Sequence, residues 1–357
     1  MAHAGAPHGT GHARSVSRRG RTAPDALLIL LAASTVLAGG AIPATAQPRL
    51  RLIATGGTIG NHGEGRLPAA SLAASVPGLA AVARVEPETF ASRASLALTL
   101  DDWLRLARRV RAALDEPGLT GVVVTAGTDT LEELAYFLDL TVPGERPVVV
   151  TGAMRRPGAA EADGPANLLA AALVATSAEA RGRGALVVFG GLILAADEVE
   201  KVSTSGPEAF ASEHGHPLGR LEGNRVRFLR NSGRGRQFDI SGVGRLPRVD
   251  LLWTYQQAPG DLIEAAVKAG AKGLVIAAAG AGALTAPQSA AVRSAVRRGV
   301  PVVVASRVEG GRVPAEELPR RHLLTAAGSM SPLKARILLM VALAAGVEPA
   351  KLEDVFR

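Results

Sequence analysis

The chain has 357 residues, with 40 lysines and arginines against 32 acids, a formal charge of +8 and no cysteine. Disulfides, a thiol nucleophile and thiolate metal sites are thereby excluded. With aromatic residues at only 3% and arginines scattered rather than striped, so is a stacking platform for nucleic acid.

The first 24 residues carry Arg14, Arg18, Arg19 and Arg21 without an acid. Ala26 to Ala38 is then an apolar run too short to span a bilayer comfortably, and Ala44-Thr45-Ala46 offers the small side chains of a cleavage site. The pattern predicts an export signal over 1–46, a mature start at Gln47 and a periplasmic or secreted protein; an uncleaved anchor is the competing reading. Arg18-Arg19 leaves both the Sec and the twin-arginine routes open. Four arginines and Asp25 belong to this leader, so the remainder carries +5. A mature chain of that length buries a large core and commonly divides into two domains.

The apolar run Leu50 to Ile53 predicts a strand that breaks at Ala54-Thr55-Gly56-Gly57-Thr58-Ile59. The glycines permit positive φ and close ligand approach, and Thr58 follows them with a small hydroxyl. A short helix is expected over Ser71 to Val76, a strand over Val82 to Phe90, and a helix behind the capping pair Thr99 and Asp102 with Trp103, Leu104, Ala107 and Val110 inward. Val122 to Thr125 is a second buried-strand pattern, emptying into Ala126-Gly127-Thr128-Asp129-Thr130. Thr130 and Glu133 have capping-box spacing before the stripe Leu131, Leu134, Ala135, Leu138. Pro147 to Thr151 is a third strand, ending at Gly152-Ala153-Met154, with Asp163 and Pro165 opening a helix that runs on from Leu168. Ala185 to Phe189 is a fourth; Leu192 to Val199 alternates poorly and reads as an edge or loop leading to Lys201.

This alternation predicts an α/β protein whose larger N-terminal domain, 47–232, has a mainly parallel sheet. Its strand ends would gather Thr58, Ser95, Thr128, Asp129 and Ala153 in one crevice. Gly233 to Arg245, rich in glycine and arginine, predicts a linker over 233–247. A smaller α/β domain, 248–357, follows, with strands at 251–254, 273–278 and 301–305. Its helices are expected over Asp261 to Ala269, Gln288 to Arg298, and from the Ser331 cap and Pro332 to Gly346. A dinucleotide-binding reading fails because Gly56, Gly57 and Gly60 do not make G-x-G-x-x-G.

ATGGTI at 54–59 and GTDTLEELAYFLDL at 127–140 resemble the bacterial type II asparaginases and the related asparaginase/glutaminases. TGAMRRP at 151–157, ADGPANL at 162–168, PLG at 217–219 and KAR at 334–336 continue the likeness in the same order, over nearly the whole chain after the leader. The resemblance implies hydrolysis of the side-chain amide of L-asparagine to L-aspartate and ammonia, with L-glutamine open as a second substrate. It implies no cofactor, no metal, no nucleic acid, and a homotetramer built as a dimer of dimers. It assigns Thr58 as nucleophile and Thr128, Asp129 and Lys201 as a proton-moving triad. Gly57 and Ser95 would bind substrate, Ser95 at the α-carboxylate. Asp129 would hold the ammonium, and the Ala153 backbone would lie against the side-chain amide. Glu316, or Glu317, would reach a neighbouring subunit's site.

The chain departs from that family where it matters for the substrate. No tyrosine stands between Gly60 and Pro77, leaving Arg66 or nothing in its place. Ala126 replaces a histidine, Gly190-Gly191 an Asn-Asp pair, and Ala281 and Ala283 two asparagines. An exported amino-acid binder of the same fold, with weak or no amidase activity, is therefore the second reading.

Overall fold

The computed structural model describes residues 47–63, 65–318 and 324–357. The predicted export signal lies outside the described residues. From Ala46 to Arg357 the chain forms one compact unit.

The N-terminal part runs β1 (Arg49–Gly56), a small hairpin of β2 (Asn61–His62) and β3 (Gly65–Arg66), α1 (Ala69–Ala74), α2 (Leu79–Val82), β4 (Arg84–Arg93) and α3 (Leu100–Asp115). It continues with β5 (Leu119–Thr125), α4 (Leu131–Thr141), β6 (Val148–Thr151), α5 (Gly164–Thr176), β7 (Ala185–Phe189) and β8 (Leu192–Ala195). Then come β9 (Val199–Lys201), β10 (Phe210–Ser212), β11 (Gly219–Glu222) and β12 (Arg225–Phe228). The large sheet has the order β12-β11-β8-β7-β6-β5-β1-β4. Its five strands from β7 to β4 pair in parallel, and β8, β11 and β12 extend it antiparallel. β5, β6 and β7 are apolar and buried on both faces, as parallel strands covered by helices must be.

The C-terminal part runs β13 (Val249–Trp253), α6 (Asp261–Lys268), β14 (Gly273–Ala278), α7 (Ala286–Arg297), β15 (Val302–Ser306), β16 (Leu324–Ala326), α8 (Pro332–Ala344) and α9 (Leu352–Phe356). Its smaller sheet is parallel throughout, in the order β13-β14-β15-β16. The mixed α/β class, with a larger mainly parallel sheet followed by a smaller one, is therefore as the sequence predicted.

Two details differ. Leu192–Ala195 is neither edge nor loop: β8 lies inside the sheet between β7 and β11, joined to β7 by the two-residue turn Gly190-Gly191 with both φ positive. Its burial erases the alternation that would have marked it. The expected capping box at Thr130 does not form; a 3-10 turn, Thr128–Thr130, precedes α4, and Glu133 is instead drawn to Arg336 of α8 at 3.4 Å. By contrast, Thr99 and Asp102 form the full reciprocal box at the start of α3.

The stretch 233–247 carries no helix or strand but is not loose. Arg234 and Gln237 donate to the Val142 carbonyl and Phe238 N–H to Leu140 O, satisfying carbonyls at the end of α4. One buried cluster takes in α3, α4 and α8, with Leu134, Phe137 and Leu138 of α4 in the same core as Ile337, Leu338 and Val341 of α8.

Candidate active site

β1 and β5 lie side by side, yet the chain leaves them toward opposite sides, β1 toward β4 and β5 toward β6. A parallel sheet opens at such a reversal because the loops above its strand ends diverge. Thr58 follows β1 and Thr128 follows β5, so both turns form lips of this opening. Gly56 and Gly57 have φ of 112° and 79°, where a β-carbon is strained. A Cβ on Gly57 would also stand 2.4 Å from Gly127 N and Cα. The two loops thus meet backbone to backbone, and Thr58, half-buried, begins a 3-10 turn just beyond the contact.

The end of β4 closes the same mouth. Gly57 N–H donates to Arg93 O at 3.0 Å, and a Cβ on Gly127 would lie 2.9 Å from Ser95 Oγ, so Ser95 is packed against the second loop. Arg93 in turn donates to the buried Asp102 at 3.0 Å. The Thr99 N–H, followed by the Thr99 hydroxyl, Arg105 and Arg93, holds the Asp102 carboxyl below the usual carboxylate range against the cost of burial. The cap of α3 therefore also fixes the strand end from which Ser95 projects.

Lys201 comes from the last position of β9 and reaches the second loop. Its Nζ donates to Thr128 Oγ1 at 3.1 Å and pairs with Asp129 Oδ1 at 2.7 Å. The lysine side chain is 17% exposed and the aspartate 66%, so the ammonium is sheltered while the carboxylate faces the opening.

At the third mouth, the Gly152-Ala153-Met154 turn is held by two side chains of α5 and its approach. Asp163 accepts from Met154 N and Arg155 N, both at 2.9 Å. Asn167 donates to Gly152 O at 3.1 Å and accepts from Gly190 N at 3.0 Å. Ala153 itself is buried, against Ile59 across Gly164.

The chain thus gathers Gly57, Thr58, Ser95, Thr128, Asp129, Lys201 and Ala153 at one end of the large sheet. Glu316 is not brought to them: its exposed carboxylate pairs with Arg312 at 3.1 Å. The Glu317 side chain lies outside the described residues. Arg66 turns its guanidinium to Ser92 O at 3.2 Å, on the backbone of β4. Sequence reasoning passed over Asp163 and Asn167 as site supports and Glu132, whose carboxylate accepts the Lys201 N–H at 2.6 Å. A polar Asn167 directly ahead of the apolar run Leu168 to Ala175 was the available signal; Glu132 had none. Among the described residues no group of three or more histidines and acids is placed to hold a metal.

Two hydroxyl-bearing turns on adjacent strand ends, one of them bonded to a Lys-Asp pair, thus stand at one mouth of the large sheet. Residues 49–234 match the family described as asparaginase, N-terminal, and 248–356 the glutaminase/asparaginase C-terminal domain. L-asparaginase 2 of Bacillus subtilis is 38% identical over 87% of this chain and 86% of its own length. The probable periplasmic L-asparaginase of Haemophilus influenzae is 34% identical over 87% and 93%. The crystal structure of a probable cytoplasmic L-asparaginase from Campylobacter jejuni superposes with a TM-score of 0.82 at 35% identity, covering 87% of this chain and 99% of that one. The chain belongs to the asparaginase family.

Proposed function

We propose that the protein hydrolyses the side-chain amide of L-asparagine to L-aspartate and ammonia, with Thr58 as nucleophile. The observation that carries this reading is the Lys201-Thr128-Asp129 contact on the lip opposite Thr58. Thr58 Oγ attacks the amide carbon and its proton passes to the departing nitrogen, giving an ester and ammonia. Water then adds to the ester, releasing aspartate and restoring the Thr58 hydroxyl. Thr128, bonded to Lys201, is the port through which protons enter and leave; Asp129 holds the substrate ammonium, Ser95 its carboxylate, and N–H groups of the glycine turns face the oxyanion. L-Glutamine, one methylene longer, is open to the same chemistry as a second substrate.

Intact-protein mass spectrometry after quenching with asparagine tests the nucleophile: an adduct on Thr58, accumulating in Thr128→Ala and missing in Thr58→Ala, is expected. An adduct on Thr128 in active Thr58→Ala protein would reverse the two roles. Absence of ammonia release by the wild type would leave the binding protein as the reading.

The leader pattern supports export, with the mature chain beginning at Gln47 and residing in the periplasm or medium; relatives named periplasmic and cytoplasmic both occur, so the sequence pattern alone carries it. N-terminal sequencing decides. The family likeness supports a homotetramer. Leu96 beside Ser95, 77% exposed, and the exposed Trp253 and Tyr255 are apolar surface that such an assembly would cover. Light scattering reporting a monomer at working concentration would count against it.

A further inference from the structure

Glu132 stands in the first turn of α4, directly after the turn that carries Thr128 and Asp129. Its Oε2 accepts the main-chain N–H of Lys201 at 2.6 Å, across 69 residues of sequence. The Lys201 ammonium reaches back to Thr128 and Asp129 at 3.1 and 2.7 Å. The lysine is therefore held at both ends by one short stretch of chain, 128–132, backbone at one point and side chain at the other.

The partner strand is held as firmly. β9 pairs with β10 through Phe210 opposite Lys201 and Ser212 opposite Val199. Glu213 follows β10, donates its N–H to Glu198 O at 2.9 Å, and accepts Lys334 Nζ at 3.2 Å. Lys334, only 2% exposed, is the third residue of α8. Burial raises the carboxyl pKa of both Glu132 and Glu213, and the Lys334 ammonium opposes it in each. Glu132, Lys201, Glu213 and Ser331 share the wall of one cavity of about 520 Å³. A β9-β10 pair of three residues each has too few ladder bonds to fix its own position, so these carboxylates set it.

We infer that Glu132 is a positioning residue for Lys201: by accepting that residue's main-chain N–H it fixes where β9 ends and so where the ammonium meets Thr128 and Asp129. This rests on the proposed role of the Lys201-Thr128-Asp129 group. In this role Glu132 acts only through the lysine.

The test compares Glu132→Ala, Glu132→Gln and Glu132→Asp in the full chain, with Lys201→Met as reference, by ammonia release from L-asparagine. Glu132→Ala is expected to lose about 10- to 100-fold in kcat with KM within about twofold of wild type, since proton transfer and not substrate holding is displaced. Glu132→Gln keeps an acceptor oxygen at the same reach and is expected to recover kcat to within about threefold of wild type. A crystal structure of Glu132→Ala should show Lys201 Nζ withdrawn from Thr128 Oγ1. Wild-type kcat in Glu132→Ala beside an inactive Lys201→Met overturns the inference and leaves the proposed function standing. Glu132→Gln as impaired as Glu132→Ala also overturns it, because charge and not the acceptor would then matter. If Lys201→Met remains active, the functional reading itself has failed and takes the inference with it. Should Glu132→Ala not fold, Glu132→Asp decides, since it keeps the charge but draws the acceptor back by one methylene: lowered kcat at unchanged KM is expected, and wild-type kcat overturns the inference.

Discussion

The two sheets use the same βα grammar and reach opposite results. In the large sheet the order of the parallel strands, β7-β6-β5-β1-β4, reverses direction at β1 and β5, and the turns after those strands touch at Gly57 and Gly127 and present Thr58 and Thr128 just beyond that contact. In the small sheet, β13-β14-β15-β16 proceeds one way only, and no reversal parts its loops. There the loop after β14 closes on itself, with Ala279 bridged to Ala283 and the Ser306 hydroxyl donating to Gly280 O at 2.8 Å. A strand end rich in small residues is thus not enough for a site; the connection order has to separate it from its neighbour.

Thr58→Ala is the severest way to break this contrast: kcat for ammonia release should fall by at least about a thousandfold, a barrier change near 4 kcal/mol. Retained turnover would move the chemistry off the β1 lip. Lys201→Met and Asp129→Ala should each cost about 10²-fold or more in kcat, but only the aspartate variant should also raise KM, since it removes binding common to ground and transition states. Equal KM values in the two would deny Asp129 its hold on the ammonium.

Asp139, at the foot of α4 away from the crevice, sharpens the contrast differently. Burial, reinforced by Asp197, pushes its carboxyl up to about 7, although Ala185 N–H donates to it and Arg234 lies near. A carboxyl raised on folding contributes stability that is fully present below its unfolded value near 4 and is lost as pH climbs through about 7. Asp139→Asn should flatten that decline, which amounts to about 2–4 kcal/mol between pH 4 and 8 in urea titrations, with kcat unchanged. An undiminished slope in the variant would assign the titration to another group. Smallest of all, Ser306→Ala at the closed end of the small sheet should shift stability by about 1 kcal/mol and leave turnover within about twofold. A loss of activity there comparable to Lys201→Met would make the two sheet ends equivalent after all.

The parallel strands were readable because burial on both faces leaves uninterrupted apolar runs such as Val122-Val123-Val124 and Val148-Val149-Val150. β8 was misjudged because its poor alternation reads as an edge or loop, whereas Ile193, Leu194 and Ala195 are all buried and leave no exposed face to alternate with. The hairpin turn Gly190-Gly191, where φ is 55° and 78°, carried the missing clue, since two positive-φ residues between apolar runs mark a tight antiparallel turn. β16, three residues long, offers too little pattern to be seen. At the site, turn residues announced Thr58 and Thr128 locally. The company of Lys201 is set by contacts spanning some 70 positions, which periodicity cannot express; only the family likeness pointed to it.

The shared core of α4 and α8 bears on how this protein can be cut and moved. Leu134, Phe137 and Leu138 share one core with Ile337, Leu338 and Val341, so a fragment ending near residue 232 would expose a broad oily flank on the helix that follows the turn bearing Thr128 and Asp129. Such a fragment should aggregate when expressed by itself, and the two halves should melt in one cooperative step. Graft and fusion partners therefore belong at the chain ends, with the two sheets carried together as a single heritable piece.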